Sequence, residues 1–350
     1  MKLARSSAGP PPVVISLGCP SGIGPEVALK AFASRSIGAL VFVGNRELLL
    51  RSAEQAGFAR ARIEKIHELS EGEHRFSGAR IFSDFPPLRA SEMQPGRPSA
   101  QGGLNQLLFV EEAFRIAKSR RWPLCTAPVS KEAIARSGSA RVVKFRGHTE
   151  WLQKLDGADH SVMCFSCAQL TCSLVTTHVP LKRVPRLLSP ELVVRATVEL
   201  VDLLLRQGHV RPLVAVCSLN PHAGEGELLG SEETSAIVPA IARARAILGR
   251  RAQLIGPMGA ETAFRKGASG SFAGVVAMYH DQATIPMKLL DFGGAVNITQ
   301  GLSIARTSVD HGTAYDIAGQ GIADPRGMRE AIKMAARLGR VGRKIDLKGW

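Results

Sequence analysis

Short apolar runs alternate with amphipathic segments along most of the chain. Val13–Leu17 is an apolar run of strand length, a glycine- and proline-rich segment follows it, and Val27–Ala33 carries apolar residues at helical spacing. Pro25 suits the first position of this helix, and Glu26 suits the positive end of its dipole. This order of strand, loop and helix recurs, which predicts a mainly parallel sheet flanked by helices.

Short apolar runs and apolar residues at helical spacing likewise predict the remaining strands and helices. The predicted strands are Leu40–Val43, Leu124–Ala127, Leu213–Leu219 and Val275–Met278. The predicted helices are Arg46–Ala56, Lys131–Ala135 with Ser130 as its cap, Glu191–Arg206 and Glu232–Leu248. The stretch SVMCFSCAQLTCSLVTT predicts paired strands, whereas His67–Gln101 is polar, contains prolines and is predicted to be irregular. The fold class is therefore α/β.

Composition narrows the class of protein. The chain has 350 residues, which at roughly 150 residues per domain suggests two domains, and 45% hydrophobic with 21% charged residues is typical of a globular protein. The formal net charge is +15, but only 5% of residues are aromatic and the basic residues are scattered. A nucleic-acid-binding protein is therefore the weaker alternative, and a solvated surface that attracts small anions is favoured.

The sequence gives no sign of membrane insertion or export. No apolar run approaches the roughly 18 residues that a membrane-spanning helix needs. Val13–Leu17 is also too short for the apolar region of a signal peptide. We therefore expect a cytoplasmic protein that binds neither a membrane nor nucleic acid.

Three of the nine histidines share one context. His178, His222 and His280 each come just after the carboxyl end of a predicted strand, where open α/β sheets place their ligands. Three neutral imidazoles with an open fourth position suit a catalytic divalent metal such as zinc. Their separations of 44 and 58 residues match no metal-binding motif, so a structural role for each histidine remains the alternative.

Polar residues near His280 extend this candidate site. Asp281 follows His280 directly and is suited to accept a hydrogen bond from its imidazole. Lys288, Asn297 and Arg306 then interrupt an otherwise apolar stretch. Such cations either pair with carboxylates for structural reasons or bind an anion such as a phosphate.

A glycine-rich segment precedes the first predicted helix. Gly18, Gly22 and Gly24 do not fit the GxGxxG spacing, so the standard dinucleotide-binding fingerprint is absent. The segment either presents backbone N–H groups to an anion or forms a tight turn.

Seven motifs occur in a fixed order over nearly the whole chain. They are GCPSGIGPEVALKAF, TAPVSKEAI, RGHTEWL, TTHVPLKRVP, LNPHAGEGELLGSEE, MYHDQATIPMKLL and NITQGLSIARTSVDHGTA. In this order they resemble the 4-hydroxythreonine-4-phosphate dehydrogenase family of vitamin B6 biosynthesis. The motifs are less specific within the family, which includes dehydrogenases of four-carbon sugar-acid phosphates (erythronate and threonate 4-phosphate) and of aromatic cis-dihydrodiol carboxylates.

The resemblance implies a fold related to isocitrate and isopropylmalate dehydrogenases. Two α/β domains with mainly parallel sheets would flank a cleft, in a homodimer whose active site lies at the subunit interface. We expect residues 1–141 plus 318–350 to form the first domain, and residues 142–317 to form the second, which would carry the metal and substrate residues.

The resemblance also implies roles for individual residues. The family's metal ligands match His178, His222 and His280, with one ligand expected from the partner subunit. The family's substrate-binding residues match His148, Thr149, Lys288, Asn297 and Arg306. The stretch from His311 resembles the segment that contacts the adenosine of NAD in related enzymes, and the expected cofactor-binding residues are His311, Gly312, Thr313 and Ala314.

The implied reaction is oxidation of 4-phosphohydroxy-L-threonine at C3 by NAD or NADP. The resulting 3-oxo acid would lose CO2 to give 3-amino-2-oxopropyl phosphate. A divalent metal, zinc, magnesium or cobalt, would lower the pKa of the C3 hydroxyl group, and the nicotinamide would accept the hydride. Lys131, Asp281 and a metal-bound water are the candidates for the group that takes the hydroxyl proton.

Two residues depart from the pattern of the family. Cys19 stands where the family usually has Asp or Glu, and Glu261 stands where Asp is usual. Both are expected in loops that face the cleft, where they would alter substrate preference. The form IPMKLL after HDQ also resembles the sugar-acid branch, but Asn297 and Arg306 remain in place and favour the biosynthetic activity.

Overall fold

The computed structural model describes residues 10–33, 37–139, 145 and 147–345, without the side chain of residue 61. The chain forms two compact units, Met1–Leu152 with Ile304–Arg340 and Gln153–Ser303 with Val341–Trp350. The domain boundaries expected from the sequence, 141/142 and 317/318, therefore differ from the boundaries of these units. The expected boundary at 141/142 falls in residues 140–144, outside the described residues. His148 and Arg306 thus belong to the first unit.

The strands, numbered in chain order, are β1 (Val13–Ser16), β2 (Leu40–Val43), β3 (His67–Glu68), β4 (Ala79–Phe82), β5 (Leu124–Thr126), β6 (Val162–Ser166), β7 (Thr171–Leu174), β8 (Leu213–Cys217), β9 (Gln253–Met258), β10 (Gly274–Ala277), β11 (Val296–Gln300) and β12 (Arg306–Val309). The α-helices are α1 (Gly24–Phe32), α2 (Arg46–Gln55), α3 (Arg60–Glu64), α4 (Ala100–Arg120), α5 (Lys131–Arg136), α6 (His148–Asp156), α7 (Val184–Leu187), α8 (Pro190–Arg206), α9 (Val238–Leu248), α10 (Ala260–Ala268), α11 (His280–Leu290) and α12 (Arg326–Arg340). None of the helices in the described ranges is long and apolar enough to cross a membrane.

The first unit has the strand order β3-β4-β2-β1-β5-β12, and every pairing in it is parallel. All residues of β1, β2 and β5 are buried, as expected for parallel strands covered on both faces by helices. Because β12 pairs in register with β5, with Arg306 opposite Leu124, the segment from residue 304 onward packs with the first unit. This long-range pairing accounts for the shifted boundary.

The second unit has the strand order β11-β6-β7-β10-β8-β9. The β11, β6 and β7 strands pair antiparallel, which confirms the predicted pairing within the cysteine-containing stretch. The β7, β10, β8 and β9 strands pair parallel. Their carboxyl ends therefore lie along one edge of the sheet. An apolar core that includes Phe165, Phe264 and Phe272 packs beside them.

Most predicted elements occur with boundaries shifted by one to three residues. Ser130 caps α5 as expected, since its hydroxyl accepts a hydrogen bond from the N–H of Ala133. The segment predicted to be irregular instead contains β3, β4 and a 3-10 turn at Ala90–Met93. β4 forms because it pairs with β2, which buries Ala79 and Ile81. The helix predicted from residue 232 begins as a π-helical turn at Glu233–Ile237.

A buried charge cluster fixes the end of the described chain to the second unit. Oε1 of Glu199, on α8, lies 2.6 Å from Nη2 of Arg343 and 2.9 Å from Nε2 of His160. Asp202, one turn further along α8, accepts hydrogen bonds from the backbone N–H groups of Lys344 and Ile345. Both carboxylates are fully buried. We call this set the Glu199 cluster.

Candidate active site

The three histidines lie at the expected edge of the second unit. β7, β10 and β8 are neighbouring parallel strands, and His178, His280 and His222 follow their carboxyl ends. His280 opens α11, whereas His222 lies in a 3-10 turn directly after β8. The sequence pattern therefore located these side chains correctly with respect to the strands.

Two of the imidazoles are close neighbours. The ring centroids of His178 and His280 are 5.5 Å apart. Nδ1 of His280 lies 2.7 Å from Oδ1 of Asp281, and Thr284 Oγ1 lies at 3.4 Å from the same nitrogen. A carboxylate on one ring nitrogen fixes the tautomer and leaves the other nitrogen for a ligand. Asp281 is thus positioned to orient His280.

The donor chemistry of this edge suits a divalent metal. Neutral imidazole is a common ligand of zinc and other divalent metals, and its second ring nitrogen usually donates a hydrogen bond to an acceptor. Within the described ranges, three or more His, Cys, Asp or Glu side chains do not converge as a preformed metal centre. His222 is exposed, and its backbone is left-handed, with φ 51°. The His178–His280 pair therefore fits as part of a ligand set to which His222 would be added.

A second group of predicted residues lies in the first unit, around Arg306. Arg306 is 2% exposed, and its Nη2 donates a hydrogen bond of 2.7 Å to Oγ1 of Thr126, on the neighbouring strand β5. His148 and Lys131 stand at the first positions of α6 and α5. We call Arg306, His148 and Lys131 the Arg306 cluster.

Burial and like charge shift the pKa values in the Arg306 cluster. Burial lowers the pKa of Arg306 to about 10, although the Cys125 thiol and Glu150 oppose this. Burial, together with the charges of Arg306 and Lys131, lowers the pKa of His148 well below its ordinary 6.5. His148 is therefore neutral at pH 7. Its Nε2 is buried without a hydrogen-bond partner among the described residues, so the cluster presents positive charge and an unsatisfied polar atom together.

The other predicted substrate residues differ in their surroundings. Thr149 follows His148 in the first turn of α6 and is partly buried. Lys288 is exposed in the last turn of α11. Asn297 lies on β11 opposite Phe165, and its Oδ1 is buried with no hydrogen-bond partner in the part of the chain that the structure describes.

The glycine-rich segment is a tight turn rather than an open anion cradle. The backbone N–H of Cys19 donates to Pro128 and that of Ile23 to Thr313, so these donors are already used. A Cβ at Gly18, where φ is +72°, would lie 2.3 Å from the carbonyl oxygen of Pro128. Glycine is therefore required here by close backbone packing.

The segment expected to bind the cofactor follows β12. His311 Nδ1 lies 3.0 Å from the carbonyl oxygen of Gly312, and the carbonyl of Thr313 accepts the hydrogen bond from Ile23. Ala314 has a left-handed backbone, with φ 45°. Nε2 of His311 is buried and finds no hydrogen-bond partner within the described ranges, which leaves a polar atom suited to a ligand.

The two residues that depart from the family pattern lie in different surroundings. Cys19 is 1% exposed, and its Sγ lies 3.3 Å from the hydroxyl of Tyr315 and 3.7 Å from Nε2 of Gln106. Burial raises the pKa of this thiol, so it is neutral where an acid is usual. Glu261 lies in the first turn of α10 rather than in a loop, and it pairs with Arg265 at 2.9 Å. Sequence reasoning did not anticipate the contact between Cys19 and Tyr315, because 296 residues separate them.

Comparisons with known proteins agree with the resemblance. The sequence profile of the family described as "Pyridoxal phosphate biosynthetic protein PdxA" matches residues 36–335. A 4-hydroxythreonine-4-phosphate dehydrogenase of Geobacter metallireducens is 40% identical over 95% of this chain and 96% of its own. A D-threonate 4-phosphate dehydrogenase of Cupriavidus necator is 38% identical over 94% of this chain and 97% of its own.

Solved structures show the same fold. The crystal structure of 4-hydroxythreonine-4-phosphate dehydrogenase from Klebsiella pneumoniae superposes with a TM-score of 0.78 at 33% identity. The superposition covers 96% of this chain and 100% of that one. The α/β fold class expected from the sequence is thereby confirmed.

Proposed function

Because the chain belongs to the PdxA family of pyridoxal phosphate biosynthetic proteins, we propose that this dehydrogenase oxidises 4-phosphohydroxy-L-threonine at C3. The 3-oxo acid would then lose CO2 and give 3-amino-2-oxopropyl phosphate. NAD or NADP would be the oxidant, and a divalent metal, zinc, magnesium or cobalt, would assist.

The Arg306 cluster is the observation that carries this proposal. A guanidinium that is 2% exposed is costly to bury, and an anion compensates it best through two parallel hydrogen bonds. The substrate carries a phosphate and a carboxylate, which are such anions. Arg306 would bind one of these groups, and the neutral His148 and Thr149 would donate hydrogen bonds to it. Lys288 and Asn297 would contact the rest of the substrate.

Lys131 fits the role of proton acceptor better than Asp281 does. Asp281 already accepts a hydrogen bond from His280, which suits it to orient that imidazole. Lys131 opens α5, and its Nζ would lie 3.6 Å from a Cβ built at Gly147, next to His148. Lys131, as the free amine, would therefore take the C3 hydroxyl proton, while Asp281 holds His280 in its binding tautomer.

The bound groups would supply the chemistry that side chains lack. A divalent metal held by His178, His222 and His280 would polarise the C3 oxygen, and the nicotinamide would accept the hydride. His311, Gly312, Thr313 and Ala314 would hold the adenosine part of the cofactor.

We also propose that the enzyme is a homodimer with an active site at the subunit interface. Ile285 and Leu289 on α11, and Phe292 just after it, are 59%, 82% and 80% exposed. Such an apolar patch is typical of a surface that another subunit covers. The patch shares α11 with His280 and Lys288, so a partner bound there would lie next to the candidate site. A cytoplasmic location and the absence of nucleic-acid partners remain sequence-based predictions.

D-threonate or erythronate 4-phosphate is the second candidate substrate. The buried, neutral Cys19 favours it, because the change from an acid to a thiol removes a group suited to an amino substituent on the substrate. A relative named for D-threonate 4-phosphate is nearly as similar as those named for the biosynthetic reaction.

One assay separates the two candidates. Purified protein is mixed with NAD or NADP, a divalent metal and each phosphorylated acid in turn, and formation of the reduced nicotinamide is followed. We expect the highest kcat/KM with 4-phosphohydroxy-L-threonine. A higher kcat/KM with threonate or erythronate 4-phosphate would replace the first proposal by the second, and no oxidation of any of them would refute both.

A further inference from the structure

The segment that carries His222 has an unusual backbone. We call residues 220–230 the His222 loop. His222, Ala223, Glu225 and Glu227 have φ values of 51°, 55°, 43° and 76°, all in the left-handed region that non-glycine residues seldom adopt. Several such residues so close together do not follow from local preference, and they persist only where surrounding contacts impose them. Something in the fold must therefore hold this loop.

Glu233 supplies contacts at the entry to this loop. Its side chain is almost completely buried, at 3% exposure, at the start of the π-helical turn that precedes α9. Oε1 accepts hydrogen bonds of 2.8 Å from the backbone N–H groups of both Leu219 and Asn220. Oε2 accepts one of 2.9 Å from Nδ2 of Asn220. One buried carboxylate thus fixes the entry to the His222 loop through three hydrogen bonds.

The glycines of the loop show that it is built around this contact. A Cβ at Gly224 would lie 2.8 Å from Oε2 of Glu233, and one at Gly230 would lie 2.4 Å from Nδ2 of Asn220. Both glycines also have positive φ values, 80° and 141°. The loop therefore folds back over the pair formed by Glu233 and Asn220.

The same loop entry is tied to the strand end that carries His280. Nε2 of Gln282 donates a hydrogen bond of 2.9 Å to the carbonyl oxygen of Ser218, and its Oε1 accepts one of 2.6 Å from the N–H of Met278. The base of the His222 loop and the start of α11 are thus fixed to each other. Glu233 binds this same entry at Leu219 and Asn220, directly before the left-handed residues of the loop.

We propose that Glu233 is a positioning residue, whose carboxylate holds the His222 loop in the conformation that lets His222 complete the metal site with His178 and His280. The inference rests on the metal site of the proposed function. Glu233 itself would not touch the metal.

Metal affinity tests this role directly. Metal-free full-length protein is titrated with Zn2+ by calorimetry, and the variant Glu233→Gln, which keeps the size but loses the second acceptor oxygen, is compared with it. We expect Glu233→Gln to bind Zn2+ at least about tenfold more weakly, as is typical when a group that orients a ligand is altered. Glu232→Gln is the matched control, because Glu232 accepts a hydrogen bond from Nδ2 of Asn220 but, among the described residues, from no backbone N–H of the loop. Its affinity should stay within about twofold of the wild type.

A double-mutant cycle separates positioning from a general structural role. In a His222→Ala background, Glu233→Gln should have no further effect on Zn2+ affinity, since the ligand that it positions is gone. An equal loss in both backgrounds, or an affinity unchanged by Glu233→Gln, would overturn the inference while leaving the metal site intact.

A wild-type protein that binds no Zn2+ would instead refute the metal part of the proposed function, and the inference with it. Should Glu233→Gln not fold, Glu233→Asp, whose shorter side chain withdraws the carboxylate, carries the same expectation.

Discussion

The Arg306 cluster and the Glu199 cluster are both buried and charged, but their environments act on charge in opposite ways. Burial works against the charged form of Glu199, yet the hydrogen bond from His160 and the charge of Arg343 outweigh it and lower the pKa of Glu199. In the Arg306 cluster burial prevails, and the pKa values of Arg306 and His148 both shift toward the neutral form. Hydrogen bonds and opposite charges therefore outweigh burial in the first environment, whereas burial outweighs them in the second.

This difference separates a structural cluster from a binding site. A buried charge that the protein itself stabilises contributes to folding, whereas a buried charge that the protein leaves poorly stabilised is suited to a ligand of opposite charge. The Glu199 cluster fastens residues 343–345 to α8. By the same reasoning, we propose that the Arg306 cluster binds a phosphate or a carboxylate.

The largest effect should come from replacing Arg306. Arg306→Met should lower kcat/KM by about 100-fold or more, because a charge-assisted pair of hydrogen bonds to the substrate is lost. The free energy of unfolding should stay the same or rise, since a poorly stabilised buried charge is replaced by an apolar side chain. Steady-state kinetics and urea unfolding measure the two quantities. A protein that keeps its activity but loses stability would make the Arg306 cluster structural.

Glu199→Gln should show the reverse pattern. We expect the free energy of unfolding to fall by about 2 kcal/mol, because Arg343 and His160 lose their carboxylate partner. The kcat/KM of the folded enzyme should not change. Urea unfolding monitored by circular dichroism tests the first expectation. A loss of activity without loss of stability would contradict the distinction between the clusters.

His148 should give the stability of the protein a dependence on pH. Its pKa is depressed in the folded state, so below pH 6.5 the unfolded chain binds a proton that the folded chain does not. The free energy of unfolding should therefore fall as pH decreases below 6.5, by about 1 kcal/mol over the first pH unit. His148→Asn should lack this component when urea unfolding is repeated from pH 7.5 to 5.5. An identical slope in the variant would show that His148 titrates normally.

The smallest effect should come from acid titration of Glu199. The pKa of this carboxylate is lowered from its ordinary 4.5, so its contribution is fully present above pH 4.5 and is lost as pH falls through the folded-state pKa. Between pH 4.5 and 4 the wild type should lose about 0.5 kcal/mol more than Glu199→Gln does. Unfolding curves at those two pH values provide the measurement, and parallel losses in both proteins would contradict it.

The sequence predicted those features that depend on local pattern. The apolar runs gave β1, β2, β5 and β8 nearly at their true boundaries, and the strand ends placed His178, His222 and His280 at one sheet edge. The α/β class followed from the same alternation.

Features that depend on contacts between residues distant in the chain could not be predicted from the local sequence pattern. β4 was missed because it is short and Arg80 separates its buried positions Ala79 and Ile81, so that the strand is recognised only from its pairing with β2. The hydrogen bonds that hold the entry to the His222 loop come from Glu233, which lies eleven positions after His222 in the chain. The boundary near residue 304 depends on the pairing of β12 with β5, some 180 residues apart.

The interleaving of the two units along the chain has a consequence for biosynthesis on the ribosome. The first unit takes its last strand and helix from Ile304–Arg340, and the second takes residues from Val341 onward. Until residue 309 has emerged, the edge of β5 that receives β12 stays open, and the nascent chain carries an unpaired strand edge. Neither unit can be completed during most of translation, so newly made protein is exposed to aggregation or chaperone binding until the last segment arrives.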